Sequence, residues 1–197
     1  MTSPPPGLPT TRVVLIGSES TGKTTLARSL AEEFGAPWVP EFAREYQARK
    51  GAPLTAEDVE PIARGQIAAE DEQRPAAELL ILDTDLVSTT VYARHYYGSC
   101  PQWIERAART RRAHLYLLLH PDVPWVADGA ERDRPEAREE IHDLFRAVLE
   151  ATHARLFDIR GSWEMRAITA KAAIRALLEA PVTLRTRSHP RKRSRRV

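Results

Sequence analysis

The sequence predicts an α/β protein, a parallel five-stranded sheet held between helical layers in an α/β/α sandwich. Three observations carry this. The runs Val13-Val14-Leu15-Ile16, Leu79-Leu80-Ile81-Leu82 and Leu115–Leu119 are apolar at every position rather than at alternate ones. That is the pattern of strands buried on both faces. Helix-patterned stretches alternate with these runs, which implies right-handed crossovers. The first run also passes through a glycine-rich turn straight into an amphipathic stretch.

Taken in order, residues 1–11 read as a flexible, Pro-rich leader. Arg12–Ile16 is the first strand. A helix follows from Lys23 to Phe34, with Leu26, Leu30 and Phe34 forming an apolar stripe and Gly35 ending it. Trp38-Val39 is a short second strand closed by Pro40, and Glu41–Arg49 reads helical. Thr55 is placed to cap a helix over Ala56–Gln73, with Glu57 and Asp58 in its first turn and Pro61 early enough to be tolerated. The strand Leu79–Leu82 leads through Asp83-Thr84-Asp85 into a helix over Leu86–Tyr97. A helix over Pro101–Arg111, the strand Leu115–Leu119 and a polar loop over Asp122–Arg134 come next. Pro135 opens a helix to Ala154. Phe157–Ile159 is the last strand, and a helix from Ser162 or Trp163 runs to Glu179. No repeat and no second domain boundary interrupt residues 12–180.

Composition narrows the class. With 197 residues, 42% hydrophobic and 28% charged, the chain has the make-up of a soluble one-domain globular protein. No apolar run reaches the roughly 20 residues that span a bilayer, and no signal peptide is visible. Cys100 is the sole cysteine, which excludes an internal disulfide and fits a cytoplasmic setting. The last fourteen residues hold seven bases and no acid; without those seven, 22 bases face 27 acids, a net charge of −5. The body is thus mildly acidic and residues 181–197 form a basic appendage. A disordered, solvated end is favoured there over a nucleic-acid contact.

Residues 17–24, Gly-Ser-Glu-Ser-Thr-Gly-Lys-Thr, form a complete GxxxxGK[ST] phosphate loop between strand and helix. Gly17 and Gly22 free the backbone to turn its N–H groups of Ser18, Glu19, Ser20 and Thr21 toward an anion, and the helix entered through Thr24 and Thr25 adds its positive end. Lys23 would reach the β- and γ-phosphates of ATP, and Thr24 would ligate Mg²⁺.

Three further clusters fall at the carboxyl edge of the predicted sheet, where ligands of such folds bind. Asp83 ends a buried strand, the position of a Walker B carboxylate able to hold Mg²⁺ with the loop hydroxyl; the plainer alternative is a turn residue that caps a helix. Asp85 can cap the next helix or bind an acceptor hydroxyl. Glu41 and Arg44 lie three apart on one helical face, placed either to orient an acceptor and an anionic group or to pair on the surface. In the loop PWVADGAERDR, Arg132 and Arg134 can close over a transferring phosphoryl group, or simply be solvated. Trp125 beside Asp128 offers a stacking face and a hydrogen-bond acceptor that suit a nucleoside. His95 and His120 read as packing or strand-end residues, and no Cys/His spacing marks zinc.

GSESTGKTTLA, EFAREY, LILDTD with the following VSTTVYARHYYG, and LLLHPDVPWVADGAERD stand in the order found in the ribosylnicotinamide kinase domain of NadR-type NAD-salvage proteins. The chain resembles that family over about residues 12–160. The phosphate loop is generic; the other blocks together are specific, and Glu19 and Ser20 recur in the family as part of its GxES block. The resemblance implies a P-loop nucleoside-kinase-like fold that passes the γ-phosphate of ATP, with Mg²⁺, to the 5′-hydroxyl of nicotinamide riboside. It implies ATP and metal roles for Lys23, Thr24 and Asp83. It implies nucleoside-side roles for Glu41, Arg44, Asp85, Trp125 and Asp128, and lid roles for Arg132 and Arg134. The general base stays open between Glu41, Asp83 and Asp85. NadR-type proteins usually add an adenylyltransferase domain; the eleven residues before the first strand leave no room for one in this sequence.

Two other readings compete. One is a nucleotide-dependent switch or ATPase with a protein or nucleic-acid partner, which the basic tail favours. The other is a P-loop kinase for another metabolite, such as shikimate, gluconate or a nucleotide. Oligomeric state is not written in the sequence.

Overall fold

The computed structural model describes residues 10–73, 77–126 and 137–180. The five strands β1 (Thr11–Ile16), β2 (Trp38–Val39), β3 (Leu79–Asp83), β4 (Leu115–Leu119) and β5 (Leu156–Ile159) form one sheet in the order β2-β3-β1-β4-β5. Every pairing is parallel. The fold is the predicted α/β/α sandwich. The expected leader over residues 1–9 and the basic tail over 181–197 lie outside the described residues.

Seven α-helices are described: α1 (Lys23–Phe34), α2 (Phe42–Lys50), α3 (Val59–Gln73), α4 (Leu86–Tyr97), α5 (Gln102–Thr110), α6 (Arg138–Ala151) and α7 (Trp163–Glu179). Alternation along β1 sorts them into layers. Val13 and Leu15 face α1 and α7 through Ala27, Leu30, Ala170 and Ile174. Val14 and Ile16 face the opposite layer, where Ala63 of α3, Val91 of α4, Ile104 of α5 and Phe145 of α6 meet the sheet. Burying each such large side chain stabilises the fold by about 1.5–3 kcal/mol. Truncating Phe145, which is fully buried at the centre of its layer, would cost about 3–5 kcal/mol.

Two boundaries differ from the sequence pattern. Residues 56–58 form a 3-10 turn before α3 rather than its first α-turn. Pro61 has no N–H to give the carbonyl four residues back and its ring crowds it, so the chain enters with tighter bonds, Asp58 N–H to Thr55 O at 3.1 Å. α6 stops at Ala151, short of Ala154, because His153 adopts a left-handed φ of 52°. No helix among the described residues is long and apolar enough to cross a membrane.

β1 lies at the sheet's centre, between β3 and β4. The turns after β1, β3 and β4 therefore emerge side by side at the carboxyl edge, and the short β2 brings the start of α2 to the same edge. The opposite edge is structural. There the buried Arg12 is paired with the buried Glu70 at 2.7 Å, and Arg111 reinforces the pair.

Candidate active site

The loop after β1 is strained in the way an anion cradle requires. Gly17 and Gly22 have φ of 147° and 82°, and Ser20 between them has φ of 54°. A Cβ at Gly17 would stand 2.6 Å from the Leu119 carbonyl, and one at Gly22 would enter the indole of Trp163. Both positions are therefore closed to side chains on two counts. The loop is also braced from below. Thr21 Oγ1 donates to the Ser18 carbonyl at 2.9 Å, and both residues are fully buried. Lys23 Nζ donates to the same carbonyl at 2.8 Å and so lies back across the loop. Thr25 is exposed on the first turn of α1.

Two arginines, Arg166 and Arg138, tie this loop to distant elements. Arg166 of α7 is 1% exposed. It donates to the carbonyls of Thr21 at 3.1 Å, His120 at 2.8 Å and Gly161 at 2.9 Å, and it is paired with Asp122. Arg138 of α6, also buried, donates to Val123 O at 3.1 Å and reaches Ser20 O at 3.4 Å. Ser20 further exchanges hydrogen bonds with the backbone of Val126, accepting from its N–H at 2.8 Å. Glu19 is half-buried beside it.

Beside the loop, Thr24 Oγ1 donates to Asp83 Oδ2 at 2.6 Å. Asp83 is 1% exposed, and its second oxygen, Oδ1, is buried with no hydrogen-bond partner among the described residues. Burial pushes this carboxyl up to about 6; the nearby Glu41 adds to the rise, while Lys23, Thr24 and Arg44 oppose it. A hydroxyl next to a carboxylate with an orphaned buried oxygen is a fitting donor set for a hard, oxygen-seeking cation such as Mg²⁺. Thr84, the next residue, is held at φ 71°, an uncommon conformation for a β-branched residue, and its N–H donates to Leu15 O at 3.1 Å.

Asp85 follows its capping alternative. Oδ1 accepts from Val87 N–H at 2.8 Å and Oδ2 from the Tyr116 hydroxyl at 2.8 Å, and the residue is 3% exposed. Both oxygens thus accept hydrogen bonds inside the fold. Glu41 is half-buried at the start of α2, Arg44 is exposed one turn on, and both lie in the electrostatic reach of Asp83. Trp125 is half-buried, in the loop that Val126 fastens to Ser20. Asp128, Arg132 and Arg134 lie outside the described residues.

An open pocket lies on the β3 side of this edge. Glu41, Thr84 and Ser88 stand on its polar side; Leu54, Val59 and Ile62 form an apolar wall; Tyr92, Tyr96 and Tyr97 of α4 form an aromatic one. None of the residues on α3 and α4 was assigned a role in the site from the sequence. Those of α4 fall in the VSTTVYARHYYG block of the family resemblance, whose tyrosines next to His95 read as packing. On the β4 side His120, His142 and Asp158 offer metal-type ligand atoms within 4.8 Å of one another. Two guanidinium groups already crowd His120 Nε2, Arg160 Nε at 3.0 Å and Arg146 Nη2 at 3.2 Å, so the cluster is an arginine–carboxylate tie across α6 and β5.

Comparison with known proteins agrees with this geometry. A family model described as AAA domain matches residues 12–166. The chain is 31% identical over 144 residues to the trifunctional NAD biosynthesis/regulator protein NadR of Escherichia coli K12; the match covers 70% of this chain and 35% of that protein. The chain thus spans about a third of the length of that relative. A crystal structure of a NadR protein in complex with NR is 27% identical with a TM-score of 0.71, covering 85% of this chain and 51% of the other. A second, in complex with NAD and AMP-PNP, is 27% identical with a TM-score of 0.68, covering 85% and 49%. Thymidylate kinase from Ehrlichia chaffeensis, 13% identical with a TM-score of 0.57 over 86% of this chain and 99% of its own, shares the fold.

Proposed function

Because the chain belongs to the AAA domain family, we propose that it is a kinase that transfers the γ-phosphate of ATP to the 5′-hydroxyl of nicotinamide riboside, giving nicotinamide mononucleotide. One observation carries the reading above all. The braced phosphate loop reaches Asp83 through Thr24, and Thr84, the next residue in the chain, lines the walled pocket beyond it. A nucleotide switch needs the loop but has no use for a walled pocket beyond it. The NadR complexes, one with NR and one with NAD and AMP-PNP, support both halves of the assignment.

In this reading the backbone N–H groups of residues 18–22 and the start of α1 hold the β- and γ-phosphates, and Lys23 swings from the Ser18 carbonyl to the γ-phosphate. Thr24 and Asp83 would hold Mg²⁺, which when bound offsets phosphate charge. Asp85 is occupied as a cap and Asp83 by the metal, so Glu41, which lines the pocket, is the carboxylate left to accept the hydroxyl proton. Arg44 offers positive charge beside it. Tyr92, Tyr96 and Tyr97 seat the base, a cationic ring that aromatic faces and Glu41 both favour. Trp125 and Asp128 are assigned to the nucleoside, Arg132 and Arg134 to the lid, and residues 12–180 to the kinase unit.

Incubation with ATP, Mg²⁺ and nicotinamide riboside should yield ADP and the mononucleotide, and Lys23→Ala should abolish both. Folded protein that releases no ADP above a blank with this acceptor, yet does so with another in a panel of nucleosides and small alcohols, overturns the acceptor assignment.

A further inference from the structure

The acceptor pocket contains two polar groups whose bonding is left unfinished. Phe42, at the start of α2, packs so tightly on α3 that a Cβ at Gly65 would enter its ring. This contact sets the Phe42 N–H against the neighbouring Gln66, and it donates to Gln66 Oε1 at 3.0 Å. The bond fixes which way the amide faces: its oxygen is turned to α2, so its NH₂ is turned away from it. Gln66 is 3% exposed, lines the pocket, and its Nε2 has no hydrogen-bond partner among the described residues. Ser88 of α4 repeats the situation. It is 5% exposed, lines the same pocket, and its Oγ is buried without a partner among the described residues.

Folded proteins pair nearly all their buried polar atoms, and an orphan in a pocket wall is satisfied when the ligand arrives. Here the two orphans are complementary. Gln66 offers only donors, because its oxygen is engaged with α2, whereas a hydroxyl both donates and accepts. An amide group presents the matching set, a carbonyl oxygen beside an N–H. The tyrosines of α4 supply the flat wall against which the ring bearing that group would lie.

We propose that Gln66 and Ser88 are specificity residues that read a carboxamide on the acceptor's base, Gln66 donating to its carbonyl oxygen and Ser88 accepting from its nitrogen. The inference rests on the reading of this pocket as the acceptor site. It adds the chemical feature selected there, and Gly65 and Phe42 as the device that points Gln66 inward.

The test compares nicotinamide riboside with the 3-acetylpyridine riboside, which keeps the carbonyl and lacks the N–H, and with the unsubstituted pyridine riboside, which lacks both. The full chain should prefer the first over the last by about 10–100-fold in kcat/KM. Gln66→Glu still accepts the Phe42 N–H but presents an oxygen where the NH₂ stood; it should bring the ratio of the first two acceptors to the third down to about one. Ser88→Ala should lower the preference for nicotinamide riboside over the acetyl compound alone. Ratios are read, so any general loss of folded enzyme cancels. A Gln66→Glu enzyme that keeps the wild-type ratio overturns the inference and leaves the acceptor site standing. A wild-type enzyme that phosphorylates none of the three overturns the acceptor assignment, and this inference with it.

Discussion

Thr24 on α1 and Asp83 at the end of β3 share a hydrogen bond of 2.6 Å across 59 residues of sequence. The bond satisfies one carboxylate oxygen and leaves the other buried and orphaned. The fold tolerates this at a cost. A folded value of about 6 against the usual 3.8 disfavours the charged form by about 3 kcal/mol. The cost is absent below the ordinary carboxylate range and fully present above about pH 6.

Asp83→Asn removes that charge while keeping the shape. In EDTA at pH 8 the variant should melt at or above the wild-type Tm, while turnover with Mg²⁺ falls at least about a hundredfold. A variant that melts well below wild type would show that the carboxylate stabilises the fold.

Arg166 is the buried clasp between the phosphate loop, the end of β4 and the turn before α7. Arg166→Ala leaves three carbonyls unpaired and removes the ion pair with the exposed Asp122, and should cost about 2–3 kcal/mol in urea unfolding. Arg166→Lys should recover only part of this, since an ammonium cannot span the four acceptors. The KM for ATP should rise in the lysine variant, with acceptor KM little changed; the reverse order would contradict the clasp's assignment to the nucleotide side.

Gly65 inverts a familiar rule. Inside a helix Gly→Ala usually gains up to about 1 kcal/mol. Here the methyl group meets the Phe42 ring, so Gly65→Ala should instead lose about 1–3 kcal/mol. It should also raise acceptor KM without raising that for ATP. A stabilised variant would mean that Phe42 yields easily.

Asp58 anchors the corner between α2 and α3. Burial pushes its carboxyl up, but hydrogen bonds from Lys50, the Thr55 N–H and hydroxyl, and the Tyr46 hydroxyl prevail and hold it at about 2. A depressed acid contributes stability above its unfolded value, about 2 kcal/mol here, which is lost as pH falls from about 4 through about 2. Asp58→Asn should therefore be less stable than wild type at pH 7 by about that amount, and the two unfolding curves should converge near pH 2. A gap that persists in acid would point to packing instead of charge.

The nucleotide side was legible in the sequence because its signal is local. Eight consecutive residues set the phosphate loop, and strand endings mark Asp83. The α/β/α layering followed from runs apolar at every position. The acceptor side was harder to read. Gln66 and Ser88 sit on different helices, and what singles them out is an unpaired atom, which no pattern of residue types reveals. Arg166 lies 145 residues from Thr21, whose carbonyl it holds, and inside α7 it resembles any helical arginine. Asp85 was ambiguous because capping and acceptor binding ask for the same residue at the same position. The structure shows the capping contacts, with Tyr116 of β4 donating to its second oxygen.

The brevity of β2 divides the sheet into halves of unequal persistence. Its two residues are paired only with β3, at Trp38 and Val39, whereas β1 is paired along both sides. Local opening costs least where fewest bonds must break. The α2 corner can therefore breathe away from the sheet while the centre stays closed, and amide exchange should be faster at Val39 than at Val14. An acceptor can then enter and a product leave on the β2 side without loosening the grip on the triphosphate.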